Sequence, residues 1–154
     1  MSRISVLLLL VAVGCGYNVG GLYEVKSVSV PIFENSTLRR MYEIELTEVV
    51  TRHLQAQGIK VNMVDTEYEL LGEIADYDRP SAVETKSDQV IVGTVVIKLN
   101  VKLKNKKTGA IMMEDSKTET AQVVGARGET EDVVREEVFD RLARWVATRL
   151  ESKW

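Results

Sequence analysis

Apolar and polar residues alternate with period two along residues 95–103. Val95, Ile97, Leu99, Val101 and Leu103 share one face, and Lys98, Asn100, Lys102 and Lys104 share the other. The pattern predicts a strand with a dry face and a wet, cationic face. A shorter alternation, Val28 and Val30 between serines, predicts a strand at residues 25–31, which Pro31 should end because it offers no N–H to a ladder. Residues 59–64 read as a short extended piece and residues 68–77 as another strand. From Leu38 the period becomes helical: Tyr42, Leu46, Val49, Val50, His53 and Leu54 fall on one side. Asn35, Ser36 and Thr37 supply capping side chains before it, and Gly58 is a stop after it. Residues 78–89 read as a polar loop. Asn105-Lys106-Lys107-Thr108-Gly109 reads as a hairpin turn with its glycine at positive φ. Residues 110–123 continue as a more polar, less buried strand. A second amphipathic helix follows over residues 130–151, with Val134, Val138, Leu142, Trp145 and Val146 as its stripe.

The order strand, helix, three strands, helix predicts an α+β fold. Two helices pack on one face of a mixed four-stranded sheet to give a two-layer sandwich. The strands on either side of the first helix can pair in parallel through a crossover, and the others form antiparallel hairpins. The second face of the sheet stays open for a partner.

The amino terminus differs in kind. Arg3 precedes an unbroken apolar run at residues 6–13, then Gly14 and Cys15, the single cysteine. The run is short of the roughly 20 residues a spanning helix needs, so it reads as a secretory signal peptide. Ala12-Val13-Gly14-Cys15 resembles a lipoprotein cleavage box, with alanine where leucine is usual. Cleavage before Cys15 leaves its thiol free to carry a diacylglycerol. Each buried methylene contributes about 0.8 kcal/mol, so two or three chains anchor a protein firmly where one does not. The alternative is an ordinary signal peptide, with Cys15 lost or left as a free thiol. The expected organisation is a signal peptide at 1–14, a lipid-anchored, glycine-containing tether at 15–24, and one domain at 25–154.

A domain of that length buries enough surface to stand without disulfides or metals. The formal charge of −3 argues against general nucleic-acid binding. His53 is the only histidine and no second thiol exists, so no metal site, cofactor site or catalytic group is assigned. His53 reads as a core-edge histidine on the first helix; the rival reading makes it the base of an envelope hydrolase, although no G-x-S-x-G motif occurs. Glu43, Glu45 and Glu48 on the first helix, and Glu129, Glu131 and Asp132 at the start of the second, read as solvated or capping carboxylates. The lysines remain. Lys98, Lys102 and Lys104 line one strand face and Lys106 and Lys107 sit at its tip, a candidate site for an anionic ligand such as a lipid phosphate. The bland alternative is a solvated strand whose lysines discourage aggregation.

The pieces Cys15-Gly16-Tyr17, then V-x-V-P-x-F-x-N-x-T from Val28 to Thr37, then E-x-x-L-T from Glu43 to Thr47, together resemble the LptE (RlpB-like) family of lipopolysaccharide-assembly lipoproteins. Leu70, Gly72 and Ile74 (L-x-G-x-I) agree in kind. The resemblance implies two helices on a four-stranded sheet, lipidated at Cys15 and tethered to the periplasmic leaflet of the outer membrane. It further implies an LptD-type β-barrel as partner, whose lumen the domain plugs, and contact with lipopolysaccharide. Pro31, Phe33, Asn35 and Thr37 would then form the turn from strand to helix, a structural role. The runner-up is a periplasmic lipoprotein that binds a small lipid or scaffolds another envelope complex.

Overall fold

The computed structural model describes residues 25–84 and 90–151. The signal peptide, tether and Cys15, with the last part of the expected polar loop, lie outside the described residues. The strongly alternating segment forms the longest strand, β6 (Val90–Asn105), and its neighbours follow from it. Along the chain come β1 (Ser27–Ser29), β2 (Glu34–Asn35), α1 (Tyr42–Ala56), β3 (Lys60–Val61), β4 (Tyr68–Asp78), β5 (Ser81–Glu84), β6, β7 (Ile111–Val124), a 3₁₀ turn (Gly125–Arg127) and α2 (Glu131–Arg149).

Among the described residues the fold is α+β with two helices and a mixed sheet, but the sheet has seven strand segments rather than four. The difference has a local cause. Beyond Ser29 the chain passes through Pro31, then pairs again as β2; β1 and β2 both run parallel to β4. Arg79 and Pro80 likewise separate β4 from β5, and both pair antiparallel with β6. Residues 81–84, expected in a loop, are thus recruited to the β6 ladder. β3 adds a short edge, parallel to β1. β7 pairs with the other side of β6 along its whole length. The connecting turn is as expected, with Gly109 at φ 74°.

The first helix begins at Tyr42, not Leu38. Met41 takes the left-handed conformation (φ 77°) and breaks the run. Leu38 is fully exposed. The second helix is capped by Thr130, whose hydroxyl accepts from the Val133 N–H at 3.4 Å.

Both helices cover the same sheet face. Leu46, Val50 and Leu54 of α1 and Val138, Phe139, Leu142 and Val146 of α2 are fully buried, in one cluster with Val28, Leu70, Ile74, Val95, Ile97, Leu99 and Val101. One irregularity matters. Alternation along Leu70, Gly72 and Ile74 would send Asp76 into that core. A bulge lies between Ile74, opposite Leu99, and Asp76, opposite Lys98. The extra residue flips the phase: Tyr77 turns inward opposite Ile97, and Asp76 joins the open face.

Candidate functional site

The motif residues come together as one knot. The Phe33 ring lies flat against Gly72, where an added Cβ would sit 2.6 Å from ring carbons. The Phe33 N–H donates to Thr47 Oγ1 (2.9 Å), and the same hydroxyl donates to the Glu43 carbonyl (2.5 Å). Asn35 does not cap the helix as its position suggests. Its Oδ1 accepts from the Thr37 N–H (2.9 Å) and hydroxyl (2.7 Å), while its Nδ2 donates to the Arg39 carbonyl and to Glu43 Oε2, each at 2.6 Å. That bond from Asn35 is the main reason the Glu43 carboxyl is held below its ordinary pKa. Ser36 completes the knot, its N–H donating to Ile74 O (3.0 Å) and its hydroxyl to Glu73 (2.6 Å). The bonds of Phe33 and Asn35 tie this segment to α1, those of Ser36 tie it to β4, and the rest brace the turn between β2 and the helix.

The lysines divide into two sets. On the open face Lys98 stands opposite Asp76, Lys104 opposite Glu69, and Lys102 opposite Glu114, to which it is bridged at 3.0 Å. Glu114 raises the Lys102 pKa. Glu73, also on this face, is held low by bonds from Ser36 and Asn100. The expected cationic face is therefore charge-mixed, because acids from β4 and β7 interleave with the β6 lysines. Lys106 and Lys107 lie apart from these acids, exposed at the hairpin tip.

Two arrangements were not legible in the pattern. At the helix N-terminal end, Arg135 is buried (7% exposed). Its guanidinium forks onto Glu45 (3.1 and 3.2 Å), reaches Asp132 (2.5 Å), and stacks 4.5 Å over the Tyr42 ring. Burial works against its charge, but Glu45 and Asp132 outweigh that and hold the pKa above the ordinary value. Beside it, Tyr77 donates to Glu131 (2.5 Å), which also pairs with Arg79 (2.6 Å). Burial first, then Glu131, pushes the Tyr77 phenol well above its usual range. These contacts lock the two helix starts to the end of β4.

His53, in the last turn of α1, joins it to the middle of α2, Nε2 to Asp140 Oδ1 at 2.7 Å. The bond holds the Asp140 carboxyl below its ordinary pKa. The helices also border a groove of about 570 Å³, lined by Glu45, Glu48, Arg52, Val133, Glu136 and Asp140 among others, and His53 is not among its lining residues. Among the described residues no cluster of three or more His, Cys, Asp or Glu side chains is arranged to hold a metal ion. No described helix is long and apolar enough to cross a membrane.

These features define a two-layer α+β body cross-linked by the Asn35, Arg135 and Tyr77 bonds. The same architecture occurs in solved structures at low identity. One is the PelC dodecamer from Paraburkholderia phytofirmans: TM-score 0.57, 17% identity, covering 82% of this chain and 89% of that one. Another is an uncharacterized lipoprotein B from Nitrosomonas europaea: TM-score 0.58, 11% identity, 86% and 87% coverage. A third is the lipoprotein GNA1162 from Neisseria meningitidis: TM-score 0.53, 9% identity, 79% and 98% coverage. At such identities the likeness is one of fold. No curated protein matches the sequence. The family model described as LptE, lipopolysaccharide-assembly, matches residues 25–150. The chain belongs to the LptE family, whose model is one of lipopolysaccharide assembly.

Proposed function

We propose that the chain is a non-enzymatic outer-membrane lipoprotein, acylated at Cys15 on the periplasmic leaflet, that partners an LptD-type β-barrel, plugs its lumen and contacts lipopolysaccharide. The family match over the whole described domain carries this reading. The geometry supports it in kind. The knot around Phe33 and Asn35 and the Arg135 fork make a stiff body suited to filling a lumen, and His53 is engaged in joining helices rather than facing the groove. Acyl chains confine such a body to the membrane plane and raise its effective concentration near a barrel. For lipopolysaccharide contact, Lys106 and Lys107 are better placed than Lys98, Lys102 and Lys104, whose charge is shared with strand neighbours.

The test is affinity purification of the full chain from detergent-solubilised membranes, with identification of what copurifies. Recovery of a large β-barrel protein supports the reading; a different envelope complex, or none, overturns it. Changing Lys104, Lys106 and Lys107 together to glutamate should weaken lipopolysaccharide binding by the purified protein without changing its circular dichroism. Unaltered binding removes the lysines from the site.

A further inference from the structure

The ladder registers bring five strand ends to one end of the sheet. β1, β3 and β4 start there, β6 finishes there and β7 starts there: Ser27 is level with Lys60, Val28 with Tyr68, Tyr68 with Asn105, and Lys104 with Ile111. Residues 62–67 carry the chain from β3 to β4 on the other side of β1; Asn62 is held beside Val28 and Val30, and the segment returns to this end at Glu67, whose carbonyl accepts from the Lys106 N–H (2.9 Å).

Two kinds of side chain collect at this end. Met63 (58% exposed), Val64 (95%), Ile111 (50%) and Met112 (58%) are half of the large apolar side chains standing in water among the described residues. Single exposed apolar residues are ordinary; four on two segments that meet at one end, through Glu67 and Lys106, concentrate apolar surface there. Around them the exposed charges are Lys26, Lys60, Lys106 and Lys107 against Asp65 and Glu67, with Glu114 bridged to Lys102. The end is therefore basic on a chain whose net charge is −3. Apolar side chains ringed by lysines are the composition that settles into the headgroup layer of an anionic leaflet. Apolar side chains are exposed elsewhere too, notably Ile32, Leu38 and Met41. What separates the two regions is the chain itself: residue 25 enters β1 at the basic end. The ten residues from Cys15 reach at most about 35 Å when fully extended, so an anchor at Cys15 keeps this end near the bilayer.

We propose that this end of the sheet is a docking surface for an anionic lipid leaflet. It seats the anchored chain, before any barrel encloses it, with Met63, Val64 and Met112 among the headgroups and Lys106 and Lys107 on lipid phosphates. The inference rests on the anchoring reading for Cys15, and it adds an orientation that anchoring alone does not supply.

The test uses the full-length chain, exported, processed and reconstituted into vesicles of phosphatidylethanolamine and phosphatidylglycerol, or of phosphatidylcholine alone. Val64→Cys, Met112→Cys and Leu38→Cys each supply a thiol for a nitroxide. The expected result is that labels at 64 and 112 lose access to a water-soluble relaxant in the anionic vesicles but not in phosphatidylcholine, while the label at 38 stays in water in both. Lys106→Glu with Lys107→Glu should cut the docked fraction by about tenfold or more, each lysine being worth roughly fivefold near such a surface. Labels at 64 and 112 that stay in water on chains that still float with the vesicles overturn the docking surface and leave the anchor standing. Chains that do not float, with no acyl mass at the amino terminus, overturn the anchor and the docking surface with it. A label at 38 that buries as deeply as that at 64 also overturns the proposed orientation.

Discussion

Gly72→Ala measures how tightly the motif knot is closed. The new methyl would lie 2.6 Å from two carbons of the Phe33 ring and 2.7 Å from a third. The ring has little freedom to retreat: it is 3% exposed and its own N–H is fixed to Thr47. Overpacking of this kind costs about 1–3 kcal/mol. Gly72 is in a strand and not in the positive-φ region, so alanine should recover roughly 0.5–1 kcal/mol of backbone entropy. The expected net loss is about 1–2 kcal/mol. Phe33→Ala alone should cost about 3–5 kcal/mol, as for a buried aromatic. In that background the clash is gone and only the entropy gain remains, so Gly72→Ala should become stabilising by about 0.5 kcal/mol. The change of sign, a coupling of about 2 kcal/mol, is what distinguishes a ring stacked on the glycine from a general intolerance of the strand. Urea unfolding followed by far-ultraviolet circular dichroism, read as midpoint shifts at constant slope, gives the four corners of the cycle. An equal penalty for Gly72→Ala with and without the ring would refute the reasoning.

Thr47→Val keeps the shape but strands the buried Phe33 N–H, and should cost about 1–3 kcal/mol in the same unfolding assay. Arg135→Met removes the fork to Glu45 and Asp132; because both acids keep contact with water, a loss of about 1–2 kcal/mol is expected, with part restored by Glu45→Gln in the double variant. Glu43, Glu73 and Asp140 all have carboxyl pKa values held below ordinary by hydrogen bonds to Asn35, Ser36 and His53 respectively. A depressed folded pKa means the stabilisation is present above the unfolded value, about 4, and lost as pH falls through the folded one, so melting temperature should drop on acidification below about pH 5. Asp140→Asn should flatten that dependence only slightly, because half of its side chain faces solvent. Cys15→Ser should release the protein from membranes, checked by sedimentation of washed membranes, with its circular dichroism unchanged.

How far the fold could be read depended on whether each segment's role was local. The β6 alternation, the second helix, the body of the first and the Gly109 turn follow from residues close in sequence, and the structure has them where the pattern put them. The departures come from partners distant in sequence. The bulge after Ile74 exists because Lys98 and Ile97 of another strand fix the register opposite Asp76 and Tyr77. β5 exists because β6 offers Gly93 to Val90 as a template; Ser81–Glu84 carries little strand signal of its own. The helix start moved to Tyr42 because Asn35 and Glu43 occupy the preceding turn. Arg135 was invisible as a core residue because a charged letter reads as surface; position 135 does lie beside Val138 and Phe139 on the buried arc, and only the paired acids Glu45 and Asp132 make burial tolerable. Spacing places Lys98, Lys102 and Lys104 on one face of β6, but the acids that share that face belong to other strands, and one strand's pattern cannot report them.

The two ends of the body are chemically unlike, and that difference carries a consequence for partnership. β6 has 16 residues and so spans about 50 Å. At one end lie residue 25, the hairpin lysines and the apolar patch. At the other, Arg135, Tyr42, Tyr77, Arg79 and Glu131 cross-link helix starts to strand end, while Ile32, Leu38 and Met41 stand exposed on the connection into α1. If the chain is held at a leaflet through Cys15, the cross-linked end is the one carried furthest from it. A rigid end is a better recognition surface than a mobile one, because less side-chain freedom is lost on binding. The knot around Phe33 and Gly72 then has a mechanical purpose: it fixes the angle at which that connection leaves the sheet. Weakening it should harm capture by a large partner before it harms membrane attachment. Gly72→Ala, inside β4 and against Phe33, is therefore expected to reduce copurification of a barrel while leaving the protein in the membrane fraction.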